Sequence, residues 1–427
     1  MAKPKLALIP AAQGTKLYSV LPSDGVGDFT FARGSVATRI NAQGLIENVA
    51  SGQSRLNYPM IDGVQKGCPH HILEPASTNI IPYSEDFTQA SIWTPTRCNI
   101  TANQITSPDG ALNADLLTVT DTSENYVQTS VLTVNGSKQT ASFFVKKGTS
   151  DFCHILLWDT SNDGARQWFD LNNGIVGTST LFGSGISVDS AQIINYGNDW
   201  YRCIAVFNNS NTTVRFRVSA SNSNGGTTST IGKTIYIWGA QLEVGSFPTS
   251  YIPNNGNAAG VTRSAETATG AGNSTTFNDS EGVLMAEISA LANDGANRYI
   301  SLNNGSNSSR VNLFYDTNNI LRGFVSGQSS SMATSVNINY NNKIVIKYKS
   351  SDIALWVNGF EVATATDVIS LSGLNSLSFE QNGDLNWYGK TKQIQYFDSI
   401  LADTQLEQLT SWQSFTDMAN GQLYTIE

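Results

Sequence analysis

The sequence predicts an all-β chain in which two antiparallel β-sandwiches follow an extended N-terminal attachment segment. Three observations carry this expectation. Strand-period alternation recurs, most cleanly where Val214, Phe216 and Val218 alternate with Arg215, Arg217 and Ser219. Charged residues make up only 14% and aromatics 10%, and Gly, Ser, Thr and Asn recur between the apolar runs, a mixture that favours strands and turns over helices. Proline-rich or small-residue stretches separate the strand-rich regions, and 427 residues suit two or three domains.

Residues 1–80 read as the attachment or oligomerisation region. Asn41-Ala42-Gln43-Gly44 between Thr38-Arg39-Ile40 and Leu45-Ile46-Glu47 predicts a hairpin, with Gly44 free to adopt positive φ. Tyr58-Pro59, Cys68-Pro69, Glu74-Pro75 and Ile81-Pro82 then describe an extended course that needs a partner surface to be ordered. Residues 81–253 carry many strand signals: Ala141 to Val145, a hairpin from Phe152–Trp158 into Arg166–Leu171, Trp200 to Phe207, Val214 to Ala220, and Ile235 to Val244. One buried face per strand implies two packed sheets in a jelly-roll-like sandwich. In the last of these strands Tyr236, Trp238, Ala240, Leu242 and Val244 fall on one apolar face, so Trp238 reads as core. Gly245, Pro248 and Pro253 end the strand and open a linker, residues 254–279. Residues 280–427 predict a second sandwich, with Asn358-Gly359 as a two-residue hairpin turn and a short helix from Asp403, its expected N-cap, through Leu406, Leu409 and Trp412.

Twenty-five Lys and Arg against 34 Asp and Glu give a formal charge of -9, which argues against nucleic acid as the main partner. The start, with Lys3 and Lys5 before a short apolar run cut by Pro10, does not read as a secretory signal, and no run is long enough to predict membrane insertion. The four scattered cysteines imply no disulfide framework.

Trp93, Ser107-Pro108-Asp109-Gly110-Ala111, Asn198-Asp199-Trp200-Tyr201-Arg202-Cys203 and the stretch from Trp238 to Pro253 together resemble the carbohydrate-binding-like sandwich of bacteriophage fibre and spike proteins. Gly67-Cys68-Pro69, Leu73-Glu74-Pro75 to Asn79 and Tyr83-Ser84-Glu85-Asp86-Phe87 resemble the lead-in to that domain. Trp356-Val357-Asn358-Gly359 followed by Tyr388 to Leu409 resembles concanavalin A-like or laminin-G-like domains. The resemblance implies a homotrimeric virion-surface protein, head or tail fibre, attached to other virion proteins through its N-terminal region and binding host-surface or mucosal glycans. A structural head or tail decoration protein and a polysaccharide depolymerase are the alternatives.

No catalytic motif, cofactor site or metal site is expected. Cys68 with His70 or His71 lacks a second ligand pair, and Glu287 stands alone where a glycosidase would need two carboxylates. The strongest binding set lies on the 152–171 hairpin. A turn centred near Asn162 would set His154 opposite Asp170, Leu156 opposite Trp168 and Trp158 opposite Arg166, all on one face. Trp158 or Trp168 would stack on a sugar ring while Arg166, His154 and Asp170 bond its hydroxyls. The same residues also read as a Trp158–Arg166 cation–π pair on a partly covered face, or as a surface between subunits. Arg215 and Arg217 could reach an acidic sugar or form a solvated stripe.

Overall fold

The computed structural model describes residues 3–13, 16–159, 161 and 163–421. Within them the chain is all-β apart from two short helices near its C-terminal end.

The first sandwich packs two antiparallel sheets. One runs Cys98–Thr106, Leu112–Val119, Thr234–Val244, Lys138–Lys147, Trp200–Asn209, Ile186–Asn195; the other runs Trp93–Thr96, Tyr126–Thr129, Thr213–Ser221, Phe152–Trp158, Gly164–Asp170, Ile175–Phe182. Their inner faces share one core that includes Phe143, Cys153, Ile155, Phe169, Cys203, Phe207 and Phe216. The alternation of apolar residues along each strand thus becomes a single buried layer.

The strand Thr234–Val244 departs from a simple alternation. Its pairing with Lys138–Lys147 shifts register between Ser142 and Phe144, and Gly239 opposite the shift has φ +62°. This bulge adds one residue and exchanges the two faces. Ile235 and Ile237 face the sandwich core before it, Ala240 and Leu242 after it. Tyr236 and Trp238 instead join Ile46, Phe144, Trp200 and Tyr251 in a separate cluster on the sheet's outer side. The single five-residue face expected from the sequence is therefore split, and Val244 is exposed. Trp238 is buried, but outside the sandwich core. The chain after Val244 folds back over this outer side: Gln241 Oε1 accepts the Ile252 N–H at 2.6 Å, and the Glu243 carboxylate accepts bonds from Ser77 and Thr249. A Cβ at residue 239 would sit 2.8 Å from Phe144 Cδ2 in a left-handed backbone. Gly239→Ala should cost about 2 kcal/mol, read as a lowered urea midpoint with an unchanged m-value.

The second sandwich places the strand set Glu281–Ala290, Asn342–Lys349, Ile353–Val357 and Phe360–Ala365 against a five-stranded sheet formed by Met332–Thr334, Leu321–Val325, Arg310–Tyr315, Arg298–Asn303 and Ser376–Ser378. Asn358 (φ 51°) and Gly359 (φ 94°) form the two-residue turn between Val357 and Phe360. The helix is Asp403–Thr410, with Ala402 rather than Asp403 as N-cap; Leu406 and Leu409 pack on the sheet's outer face, and Trp412 lies past the helix end.

The N-terminal segment is not an extended tail awaiting another protein. Leu6–Gln13 pairs with Gly389–Phe397, and Lys16–Leu21 and Phe29–Ala32 continue the same sheet. Leu6, Leu8, Leu17, Phe29, Phe31 and Leu73 belong to the core of the second sandwich. The surface this segment needs is supplied from far down the chain, by Gly389–Phe397 and by Thr267–Thr269. Nor is the stretch 254–279 a loose linker. Val261–Arg263 pairs with Ser77–Asn79, Thr267–Thr269 pairs with Phe29–Ala32, and Ala268 and Ala271 are fully buried.

A buried ion network ties these pieces together. Arg33 Nη1 donates to Glu266 Oε1 at 2.7 Å, and Arg55 donates to Glu266 and to Glu74 Oε2, the latter at 2.7 Å. Arg263 Nη1 lies 3.0 Å from Glu74 without the alignment of a hydrogen bond, and Ser250 N–H donates to Glu74 Oε1 at 2.8 Å. Every one of these five charged residues is buried. Other guanidinium donors are taken up by backbone carbonyls, including those of Ser35, Thr38, Ala50 and Pro75, while Arg263 Nε is buried without a hydrogen-bond partner among the described residues.

Candidate functional site

The outer face of the sheet containing Phe152–Trp158, Gly164–Asp170 and Thr213–Ser221 holds the residues predicted to bind. The hairpin register places His154 opposite Trp168, Leu156 opposite Arg166 and Trp158 opposite Gly164. The turn is therefore centred at residue 161, and the pairing differs from the expected one by two residues. A two-residue offset preserves which side each residue faces, so His154, Trp158, Arg166, Trp168 and Asp170 do share the outer face, while Cys153, Ile155, Leu157, Phe169 and Leu171 enter the core. Asp159 stabilises the tighter turn by accepting the N–H groups of Ser161 and Asp163, both at 2.8 Å.

The five residues differ in accessibility. His154 is 0% exposed and Trp168 is 1% exposed, with the Trp168 indole N–H donating to the Gly226 carbonyl at 2.8 Å. Their rings pack 5.1 Å apart, beneath the surface. Asp170 accepts the N–H groups of Asn172 and Asn173, at 2.9 and 3.0 Å, and so holds a turn. In this conformation none of these three offers the open ring or polar edge expected of it; they support the face from below. Trp158 and Arg166 are half-buried and remain accessible.

Nor is Trp158 a bare stacking platform, or paired with Arg166. The Arg217 guanidinium carbon lies 4.3 Å from its ring centroid and that of Arg215 lies 5.3 Å away. Arg217 also stands 3.8 Å from the Tyr126 ring, and its Nε donates to Gln128 Oε1 at 2.8 Å. Arg166 lies over Phe182 at 5.0 Å and donates to Glu124 Oε1 at 2.8 Å. The surface is thus a row of rings and guanidiniums, in which Tyr126, Glu124 and Phe182 are the members the sequence reading did not name, whereas Arg215 and Arg217 were read as reaching an acidic sugar or as a solvated stripe. The alternation of Val127 and Thr129 with Tyr126 and Gln128 was the available signal for Tyr126, as that of Val214 to Ala220 was for Arg217.

Burial, followed by the nearby positive charges of Arg166 and Arg217, holds the His154 imidazole down to about 3, so it is neutral at physiological pH. Burial also lowers the Arg217 guanidinium, against the pull of Tyr126 and Glu124. The face can engage a ligand through flat apolar surface and guanidinium donors. Among the described residues, no hydrogen bond on this face pairs a nucleophile with a base.

A larger concavity, about 720 Å³, lies between the first sandwich and the N-terminal and C-terminal strands, lined in part by Arg39, Lys138, Arg202 and Lys390. Most of its charges are already engaged: Lys138 with Asp189 at 2.6 Å, Arg39 with Glu47 at 2.6 Å, and Arg202 with the Thr249 carbonyl at 2.9 Å.

The histidines near Cys68 are structural. His71 packs edge-on to Phe31 and Phe379, and His70 approaches Asn57 at 3.2 Å, whereas Cys68 is exposed. Among the described residues, no group of three or more His, Cys, Asp or Glu side chains is placed to hold a metal ion. Glu287 accepts from Gln393 at 2.9 Å and lies 3.6 Å from Lys392. Among the described residues, no helix is long and apolar enough to cross a membrane.

No family model matches the chain, and no curated protein matches it significantly. Among solved structures it is similar to the carbohydrate-binding module CBM40 of the Ruminococcus gnavus IT-sialidase, at 15% identity over 34% of this chain and 94% of that one, TM-score 0.28. Domain 4 of AbnA, a GH43 extracellular arabinanase from Geobacillus stearothermophilus, aligns at 11% identity over 34% of this chain and 73% of that one, TM-score 0.28. Trypanosoma rangeli sialidase aligns at 11% identity over 73% of this chain and 62% of that one, TM-score 0.30. Likenesses at this level carry no argument about function.

Proposed function

We propose that this chain is a non-enzymatic glycan-binding protein displayed on a phage particle as a fibre or spike, a homotrimer that engages host-surface or mucosal glycans through the outer face of its first sandwich. The observation that carries the binding reading is the row formed on one sheet face by the half-buried Tyr126, Trp158, Arg166 and Arg215 around the buried Arg217. Guanidiniums fixed over aromatic rings lose little freedom when they bond hydroxyls or anions, which suits recognition of a polar ligand. The virion setting rests on the resemblance of the sequence to fibre and spike proteins. Attachment to other virion proteins would then use the folded exterior of the N-terminal region.

A second reading, in which this face packs against another subunit as part of a decoration protein, is favoured by the neighbouring edge strand Ile175–Phe182. It carries no charge, and Ile175, Val176 and Leu181 are 56%, 40% and 62% exposed. Glycan-array binding with the recombinant protein separates the two. The expected result is retention on a defined glycan set, weakened about tenfold or more by Arg215→Ala with an unchanged unfolding midpoint. Failure to bind any glycan, together with undiminished host adsorption by particles carrying the variant, would sink the adhesin reading.

A further inference from the structure

We propose that the arginine-aromatic face selects glycans that bear a carboxylate, and that Glu124 occupies the carboxylate seat in the free protein. This rests on the glycan-binding reading above and names the ligand class. Three guanidiniums, Arg166, Arg215 and Arg217, share the face with two carboxylates, Glu124 beside Arg166 and Asp170, which is taken up by the turn at Asn172 and Asn173, in a chain whose formal charge is -9. A local excess of positive charge in an acidic protein is not explained by composition. Arg217 spends its Nε–H on a neutral amide, and Arg166 Nε is buried without a hydrogen-bond partner among the described residues. Beneath them His154, fully buried, has no hydrogen-bond partner on either ring nitrogen among the described residues, and its Nε2 stands 3.9 Å from Glu124 Oε1, too far for a hydrogen bond. Buried donors without partners are costly, and a pocket that keeps them is incomplete.

Glu124 fills this place imperfectly. One of its oxygens pairs with Arg166 Nη2 while the side chain remains a quarter exposed. It precedes Asn125, which is pinned to Ala220 by both its Oδ1 and Nδ2, and it follows the exposed residues 121–123. Rotation of the Glu124 side chain alone would vacate the seat without moving the strand. A ligand carboxylate entering there could use both free edges of Arg166 as a fork and draw on the positive field of Arg215 and Arg217. The aromatic rings would then border the sugar, as apolar walls rather than as an open stacking platform.

The same carboxylate chemistry is offered by hexuronates and by sialates, so the test has separate arms. Full-length protein is titrated with an oligouronate, with a sialylated oligosaccharide, and with the carboxyl-reduced form of each. The expected result is preference for at least one acidic arm over its reduced partner by about tenfold or more, a gain of about threefold with Glu124→Gln, and loss of the preference with Arg166→Ala. The arm that binds identifies the sugar. Equal affinity for acidic and reduced glycans would overturn the carboxylate assignment and leave the glycan-binding reading standing; binding of neither, and of nothing on an array, would remove both. Unchanged or weaker acidic binding by a Glu124→Gln protein with wild-type thermal unfolding would overturn the seat.

Discussion

Glu266→Gln should lower the free energy of unfolding by about 3–5 kcal/mol, the range for removing one partner of a buried ion pair. The amide would retain some hydrogen bonding but no charge, so the buried network would be left with Glu74 as its carboxylate. Arg33 thereby loses its ion-pair partner outright, and Arg55 keeps Glu74. Because Arg33 and Arg55 belong to the N-terminal segment and Glu266 to the stretch between the sandwiches, the loss should be felt where those pieces meet. Urea unfolding followed by tryptophan fluorescence measures the size of the effect, and limited proteolysis should show new cleavage within residues 1–80. The contrast is Arg39→Gln. Its partner Glu47 lies 2.6 Å away, but the pair is partly exposed, so its loss should cost under about 1 kcal/mol. Similar midpoints for the two variants would show that the buried network is not what joins the segments.

Acidification from pH 7 to pH 4 should weaken the fold chiefly through its histidines. All three are buried. Burial, reinforced by Arg55, holds His71 down to about 3, and burial with Arg166 and Arg217 does the same to His154; burial and neighbouring lysines place His70 well below its ordinary value. Below about pH 6.5 the unfolded chain takes up these protons and the folded chain does not, so stability falls as pH falls. Over the 2.5 units from 6.5 to 4, His71 and His154 each contribute a loss of roughly 3 kcal/mol, and His70 acts in the same direction. Asp115 works in the opposite direction. Burial pushes its carboxyl up to about 6, despite bonds from the Phe87 and Asn103 N–H groups, so protonation between about pH 6 and 4 favours the folded state. Burial also raises the Glu85 and Glu380 carboxyls, and these three raised carboxyls do not offset three lowered imidazoles. Below about pH 4.5 a further loss begins: burial would raise Glu74, but Arg263 and Arg55 outweigh it and hold the carboxyl down to about 2, so stability drains as pH falls toward that value. Urea midpoints measured from pH 7 to 4 should decline steeply, and His71→Leu should flatten the decline; a flat wild-type profile would contradict the assignment.

How much of this was legible in the sequence depended on the range of the deciding interaction. Asn358-Gly359 specified its hairpin because the turn chemistry is local, and Leu406 and Leu409 marked a helix face for the same reason. On the 152–170 hairpin the alternation identified the outward residues, although the turn was tighter than assumed and the pairs slid by two. The bulge at Gly239 left no periodic trace before the strand was paired with its neighbour, so Tyr236 and Trp238 were grouped with residues of the opposite face. The N-terminal segment was read as needing a foreign surface because its partners, Gly389–Phe397 and Thr267–Thr269, lie far down the chain. Arg33 and Glu266 are separated by 233 residues, and no spacing rule joins them. For the binding face, accessibility was the missing quantity: Trp168 and His154 occupy the predicted side but lie beneath the loop carbonyl of Gly226 and the neighbouring side chains.

The pairing of Leu6–Gln13 with Gly389–Phe397 also sets an order of assembly during synthesis. The first sandwich can close once Thr234–Val244 has left the ribosome, since all its strands lie between Trp93 and that point. The opening strands cannot. Their apolar residues, among them Leu6, Leu8, Leu17, Phe29 and Phe31, must wait through most of translation for the sheet that receives them. Contacts of such sequence separation form late and slowly, and the waiting strands are open to mispairing with other nascent chains. A protein made in many copies on one message would therefore depend on holding these first thirty residues apart until residue 397 is available.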